Sequence, residues 1–207
     1  MPSLIVASLL GPYLKCPSCH RLIYDPAHKL SDLSLAAPCC GATGEIRIMW
    51  PRIEIYAFLE IVRKRKLSTE DGRRIAIVFL ATALEMLLED VLWELLAAHQ
   101  SPNLISELVL DGYRGRERRI WLFETLSGKS VANVLKSKRL DGFLSDWEEL
   151  ANARNRIAHG QYFYRRKSDP RTLIKRVYNK CVPAFAELQN HAAGVRAAKM
   201  TSSQSTP

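Results

Sequence analysis

Leu150-Ala-Asn-Ala-Arg154-Asn155-Arg-Ile-Ala-His159-Gly160 is the stretch on which the reading of this chain turns. It closes a segment in which Phe143, Leu144, Trp147, Leu150, Ala151, Ile157 and Ala158 recur at helical spacing, so 140–159 is predicted to be a helix with one apolar side. Position 154 falls one turn beyond Leu150 and Ala151, where a core-facing Leu would fit, and the chain has Arg there. A guanidinium buried without partners is costly. Arg154 is therefore expected to face a partner carboxylate, a subunit interface or an anionic ligand. His159 follows, and Gly160 is suited to end the helix.

The same periodicity extends outward in both directions and makes the fold class mainly α. Pro51 marks a boundary. Helices are predicted over 53–67 and over 68–99, the second opening on the capping sequence Ser68-Thr69-Glu70-Asp71. The middle of that long segment is apolar on nearly every side, as befits a central helix. Shorter helices follow at 103–110, 116–126 and 130–138. Asp169-Pro170 reads as cap and first-turn proline for a last helix to about 197, with a kink expected at Pro183. A short strand is expected within 45–50. The predicted organisation is a cysteine-bearing module at 1–50, a helical domain at 51–198 and a disordered polar tail at 199–207.

With 47% hydrophobic residues, the 207-residue chain can build a sizeable core. Thirty Lys and Arg against 21 Asp and Glu leave a net charge of +9. The basic residues gather in Arg63-Lys-Arg-Lys66, in the runs 114–119 and 136–139, and in Arg165-Arg166-Lys167. Such clusters favour a polyanionic partner, although a merely soluble cationic surface has the same composition. Tyr162, Phe163 and Tyr164 beside the last cluster suit stacking on unpaired bases, or a place in the core. No Lys or Arg precedes the apolar 4–10 stretch, and the apolar run from Ile75 is broken by Glu85, Glu89 and Asp90. A cytoplasmic protein with no membrane span is expected, its cysteines reduced or metal-bound.

Cys16-Pro-Ser-Cys19 is followed twenty positions beyond Cys19 by Cys39-Cys40-Gly41. Two such turns resemble a zinc ribbon, in which the metal replaces the core that a 50-residue segment lacks. The second turn departs from the pattern, since no spacer separates its cysteines. The expected ligands of a structural Zn2+ are Cys16, Cys19, Cys39 and Cys40, with His20 or His28 as alternatives for the fourth. Cys16-Pro-Ser-Cys19-His20 also matches a haem-attachment motif, but that chemistry goes with export. A redox pair would call for a βαβ setting, which is missing from the pattern. Cys181 falls on the stripe Leu173, Ile174, Val177, Phe185, Leu188 and reads as a core residue.

Arg154 and His159 admit two readings. In one, Arg154 forms a structural ion pair and His159 caps the helix C-terminus. In the other, the pair performs phosphodiester chemistry: Arg is a fixed, fork-shaped cation suited to phosphate, and imidazole exchanges protons near neutral pH. Glu85, lying between Leu84 and Met86 in the most apolar stretch, is a candidate to pair with Arg154 and orient it, or else a solvent-facing Glu.

Arg154, Asn155 and His159 form an Arg-Asn-x-x-x-His motif on the penultimate long helix of an all-helical domain. In this the chain resembles the HEPN superfamily, with the helical pattern of 52–197 similar along its length. The resemblance implies a HEPN-like bundle and a metal-independent endoribonuclease. In it, Arg154, Asn155 and His159 serve catalysis; Glu85 joins them as the residue that would orient Arg154, and the basic and aromatic residues Arg156, Arg165, Arg166, Lys167 and Tyr162 are the candidates to contact RNA. HEPN ribonucleases combine two such motifs across a two-fold axis, so a homodimer is implied. So are RNA products with 2′,3′-cyclic phosphate and 5′-hydroxyl ends. A toxin or antiviral-defence role, with an antitoxin or regulatory partner, is what kinship suggests. HEPN-like domains also act as non-catalytic nucleic-acid or nucleotide binders, and that alternative stands beside the first.

Overall fold

The computed structural model describes residues 12–27, 29–32, 34–140, 142–161 and 169–204. Three short strands, β1 (Tyr13–Lys15), β2 (Leu22–Tyr24) and β3 (Ile48–Trp50), precede the helices α1 (Ile53–Lys64), α2 (Glu70–Ala98), α3 (Asn103–Gly112), α4 (Arg116–Ser127), α5 (Val131–Lys136), α6 (Gly142–Ala158) and α7 (Pro170–Gln204). The fold is mainly helical, with a three-stranded sheet of order β2-β1-β3. Both pairings are antiparallel.

α2 is the spine. Thr69 caps it, its hydroxyl accepting from the Gly72 N–H at 3.1 Å. At 1.5 Å per residue its 29 residues span about 43 Å. Ala76, Ile77, Leu80, Leu84, Leu87, Leu88, Val91, Leu92 and Leu95 are sealed from solvent and point to several sides, as expected of a central helix. α7 packs along it most extensively, with α1, α4 and α6 around the remainder. Between α6 and α7, Phe143, Trp147 and Phe185 meet at tilted and edge-to-face angles, with centroids 5.3–6.1 Å apart.

The cysteine-bearing segment has a small core of its own, Cys16, Ile23 and Ala37, yet does not stand apart. Successive residues of β2 face opposite ways: Ile23 enters the small core, while Leu22 joins Trp50 of β3 in the large one. Tyr13 is the cross-strand partner of both Tyr24 and Trp50, and its ring contacts both. The Asn190 side chain accepts from the Leu22 N–H at 2.7 Å, tying the sheet to α7. Polar groups hold the rest. Asp25 accepts from the N–H groups of Lys29 and Leu30, and the buried Arg47 guanidinium donates to the carbonyls of Leu30, Asp32 and Leu35.

The strongest tie is Glu94. This α2 carboxylate is 4% exposed and meets Lys15 Nζ at 2.6 Å, His20 Nδ1 at 3.2 Å and Arg196 at 3.0 Å, with the Gln189 amide at 3.4 Å. It thereby joins β1, the first cysteine turn, α2 and α7. Burial alone would raise its pKa. The bonds from His20 and Lys15 outweigh that and hold the carboxyl at about 2, below its ordinary 4.5.

One expectation for the chain end is corrected. The tail 199–207 was expected to be disordered, yet α7 continues to Gln204. The Thr201 hydroxyl donates back to the carbonyls of Ala197 and Ala198, so the polar residue is satisfied within the helix. Residues 205–207 lie outside the described residues. Pro183 sits inside α7 without ending it. α1 stops at Lys64, short of the expected 67.

Because the folded pKa of Glu94 lies below its unfolded value, its stabilisation is complete above pH about 4.5 and is lost as pH falls through about 2. Glu94→Gln should cost about 3 kcal/mol at neutral pH, at ~1.4 kcal/mol per pKa unit. Denaturant unfolding across that acid range should show the wild-type advantage shrinking toward zero. A pH-independent difference would contradict the carboxylate's role.

Candidate metal centre and cationic cleft

The first cysteine turn begins where β1 ends. The His20 N–H donates to the Cys16 carbonyl and the Cys16 N–H to Arg21, each at 2.9 Å, folding the Cys16–Cys19 link into a tight knuckle. In the second turn the Ala37 carbonyl accepts from Cys40 and Gly41 at 3.2 and 2.7 Å. Gly41 adopts φ +76°, and space for a side chain exists there, so the need for Gly is conformational. The two turns bring four sulfurs together. Cys16 and Cys40 Sγ are 3.6 Å apart, Cys19 and Cys39 3.3 Å, Cys39 and Cys40 3.9 Å, and all four lie within 4.8 Å of one another. Thiolates at about 2.3 Å from one ion would have S···S edges of about 3.8 Å in a tetrahedron. The cluster fits a metal ion, and the missing spacer does not prevent it.

The sulfurs are not alike: burial raises the Cys19 and Cys39 thiols, whereas Cys16 is the one drawn toward the thiolate. Burial would raise the Cys16 thiol, but N–H groups of Cys19 and Ser18 and the neighbouring thiols bring it down to about 7. His20, an alternative fourth ligand by sequence, is not part of the cluster. It sits at φ +60° and directs Nδ1 at Glu94. His28 lies outside the described residues. Cys181 is fully buried, as expected of a core residue, and burial pushes its thiol up to about 12.

On another side of α2, the start of α4 and the middle of α6 border a cleft of ≈ 360 Å³. Arg114, Arg116, Arg118 and Arg154 line it, with Glu85, Glu117, Asn152 and Asn155. The α3–α4 turn is pinned from below by Arg119, which reaches Glu89 at 3.0 Å and donates to the carbonyls of Tyr113 and Glu85. Arg116, its side chain 15% exposed, lies over the buried Trp147 ring at 5.9 Å, joining α4 to α6. Gly115, at φ +90°, is the α4 N-cap and offers no side chain to the first N–H groups, which adds to the positive character of this wall.

Arg154 is not buried in a core position. Ala153 takes the interior place beside Leu150, because a 3.6-residue repeat from Trp147 and Leu150 falls between 153 and 154. Arg154 therefore stands at the edge of the packed face and opens into the cleft. Its guanidinium is 3.9 Å from Glu85, both side chains being 39% exposed, and donates to Asn155 Oδ1 at 3.2 Å. His159 is exposed at the end of α6, where Gly160 adopts φ +66°. It does not line the cleft within this chain.

Comparison of the chain with protein-family models, curated proteins and solved structures returns no match.

Of the residues singled out by sequence, Glu85, Arg154 and Asn155 come together, His159 lies just over one turn further along, and Arg156 is on α6 outside the cleft lining. Tyr162, Arg165, Arg166 and Lys167 lie outside the described residues. Sequence reasoning noted the basic run at 114–119 without linking it to Arg154. It missed Arg116 on Trp147 altogether, because that contact bridges two helices. Among the described residues no helix is long and apolar enough to cross a membrane.

Elemental analysis of the purified protein should find bound metal in stoichiometric amount. Cys19→Ser should lose it and His20→Ala should retain it. Loss in His20→Ala with Cys40→Ser unaffected would return His20 to the ligand set.

Proposed function

We propose that the chain is an RNA-processing protein: a metal-independent endoribonuclease whose phosphate-binding surface is the Arg114–Arg118–Arg154 cleft. The observation that carries this reading is the convergence of four arginines beside Asn155 at one cleft, with a His at the open end of the same helix. Glu85 and Glu117 on the lining, and Asp111 paired with Arg114 at 3.1 Å beside it, offset part of that charge; all three are more than a third exposed, so solvent screens them and they leave the arginines available to phosphate. Arg154 supplies a planar fork of donors to a phosphoryl group. Glu85, at 3.9 Å, keeps that fork turned into the cleft.

RNA carries its own nucleophile. The 2′-oxygen attacks the adjacent phosphorus, a base takes its proton, the bond to the 5′-oxygen breaks, and an acid protonates that leaving oxygen. Arg154 neutralises the charge that grows on the phosphorane, and Asn155 orients it. A chain offers one His159 for two proton transfers. The other imidazole comes from a second copy, so the complete site is a homodimer with Arg154, Asn155 and His159 from both chains. The exposure of His159 at a helix end leaves it accessible to such a copy.

The four-cysteine cluster is assigned to Zn2+. Its sulfur donors suit that ion, and its chemistry here is structural: it closes the small module that carries Lys15 and His20 to Glu94.

The absence of His159 from the cleft wall favours a second reading, a non-catalytic nucleic-acid-binding module. Incubation of labelled single-stranded RNA with wild type, His159→Ala and Arg154→Ala, each with and without EDTA, separates the two. The enzyme reading expects EDTA-resistant cleavage that falls about 100-fold or more in both variants. Binding without cleavage in wild type would favour the module. Cleavage undiminished in His159→Ala would contradict the enzyme mechanism.

A further inference from the structure

Beside the cleft stands an aromatic pair that the reading above does not use. Tyr113 closes α3 and Trp121 lies on α4, their rings parallel with centroids 5.7 Å apart. The two residues differ in their surroundings. Tyr113 packs against the main core, whereas Trp121 is 54% exposed and takes no part in either core cluster. An indole stacked on one ring and more than half exposed offers a surface on which a further ring can stack.

Its position links it to the cleft. Trp121 is three residues beyond Arg118 and four beyond Glu117, both cleft-lining, so it lies one helical turn away on the same side of α4. Tyr113 immediately precedes Arg114, the first of the cleft arginines. Arg119, on the helix that carries Trp121, donates to the Tyr113 carbonyl and ties the two elements together. Cations suited to a phosphate backbone thus adjoin an aromatic surface suited to a base. Tracking the backbone with charge while stacking bases on aromatic rings is how single strands are held without reading their sequence.

We infer that Trp121, backed by Tyr113, is the stacking platform for one unpaired base of a single-stranded RNA whose backbone phosphates lie in the Arg114–Arg118–Arg154 cleft. This rests on the reading of the cleft as a phosphate site and extends it to the class of strand bound: single-stranded, with little base preference. Base-paired RNA buries its base faces against one another and cannot use the platform.

The test is binding of a short 2′-O-methyl RNA strand, which cannot be cleaved through its 2′-oxygen, measured beside an abasic strand of equal length and charge. Wild type should prefer the base-bearing strand. Trp121→Ala should weaken that strand about tenfold, in line with stacking measured by alanine substitution, and leave the abasic strand unchanged. Trp121→Phe should recover most of the loss. Arg118→Ala should weaken both strands alike. Equal affinity of Trp121→Ala and wild type for the base-bearing strand, with Arg118→Ala still weakening both, would overturn the platform and leave the cleft. Failure of wild type to bind either strand would remove both. Altered self-association of Trp121→Ala in sedimentation, with RNA affinity intact, would assign the ring to a protein contact and also overturn the proposal.

Discussion

The acidic residues of one buried helix decide which parts of the chain are joined to the apolar spine. α2 is apolar around most of its circumference, and each carboxylate in its C-terminal half draws a cation from a different part of the chain. Glu85 faces Arg154 of α6, Glu89 holds Arg119 of α4, Asp90 holds Arg52 before α1, and Glu94 gathers Lys15, His20 and Arg196. The four form two pairs at i,i+4 spacing, 85 with 89 and 90 with 94. Nine residues separate Glu85 from Glu94, which sets them about half a turn apart around the helix. One pair therefore organises the cationic cleft, and the other fastens the cysteine module on a different side.

These pairs are not equivalent in energy. Glu85 and Arg154 are both substantially solvated and 3.9 Å apart, so their mutual attraction contributes little to stability. Its value is directional. Glu94 is the reverse case, a nearly inaccessible charge whose removal would leave Lys15 and Arg196 without their counter-ion. Asp90 lies between: burial outweighs Arg52 and raises its pKa to about 6. The helix thus spends its polar positions on joining elements rather than on solubility.

The helical skeleton was legible in the sequence because periodicity and caps are local. Thr69, Pro170 and the apolar stripes each act within a few residues, and the observed helices follow them closely. The cysteine cluster was legible as well, since paired turns announce a shared ligand. What sequence could not expose is long-range. Lys15 and Arg196 reach Glu94 across 79 and 102 positions, and nothing near Glu94 indicates which cations will arrive. His20 was ambiguous for the same reason: a His beside a Cys looks like a ligand until the fold supplies a buried carboxylate. Arg154 was understood in kind and misplaced in detail. One residue of drift along the stripe gives the core position to Ala153 and turns the Arg into the cleft. Trp121 gave no signal, because an exposed aromatic has the same sequence as a buried one.

We propose that this cleft and His159 together cut RNA through the strand's own 2′-oxygen. The most direct measurement is the chemistry of the ends left on RNA fragments by the purified wild-type protein, read by mass spectrometry. Attack by the 2′-oxygen leaves 2′,3′-cyclic phosphate on one side of each break and 5′-hydroxyl on the other. Fragments ending in 3′-hydroxyl and 5′-phosphate would require an external water and contradict it.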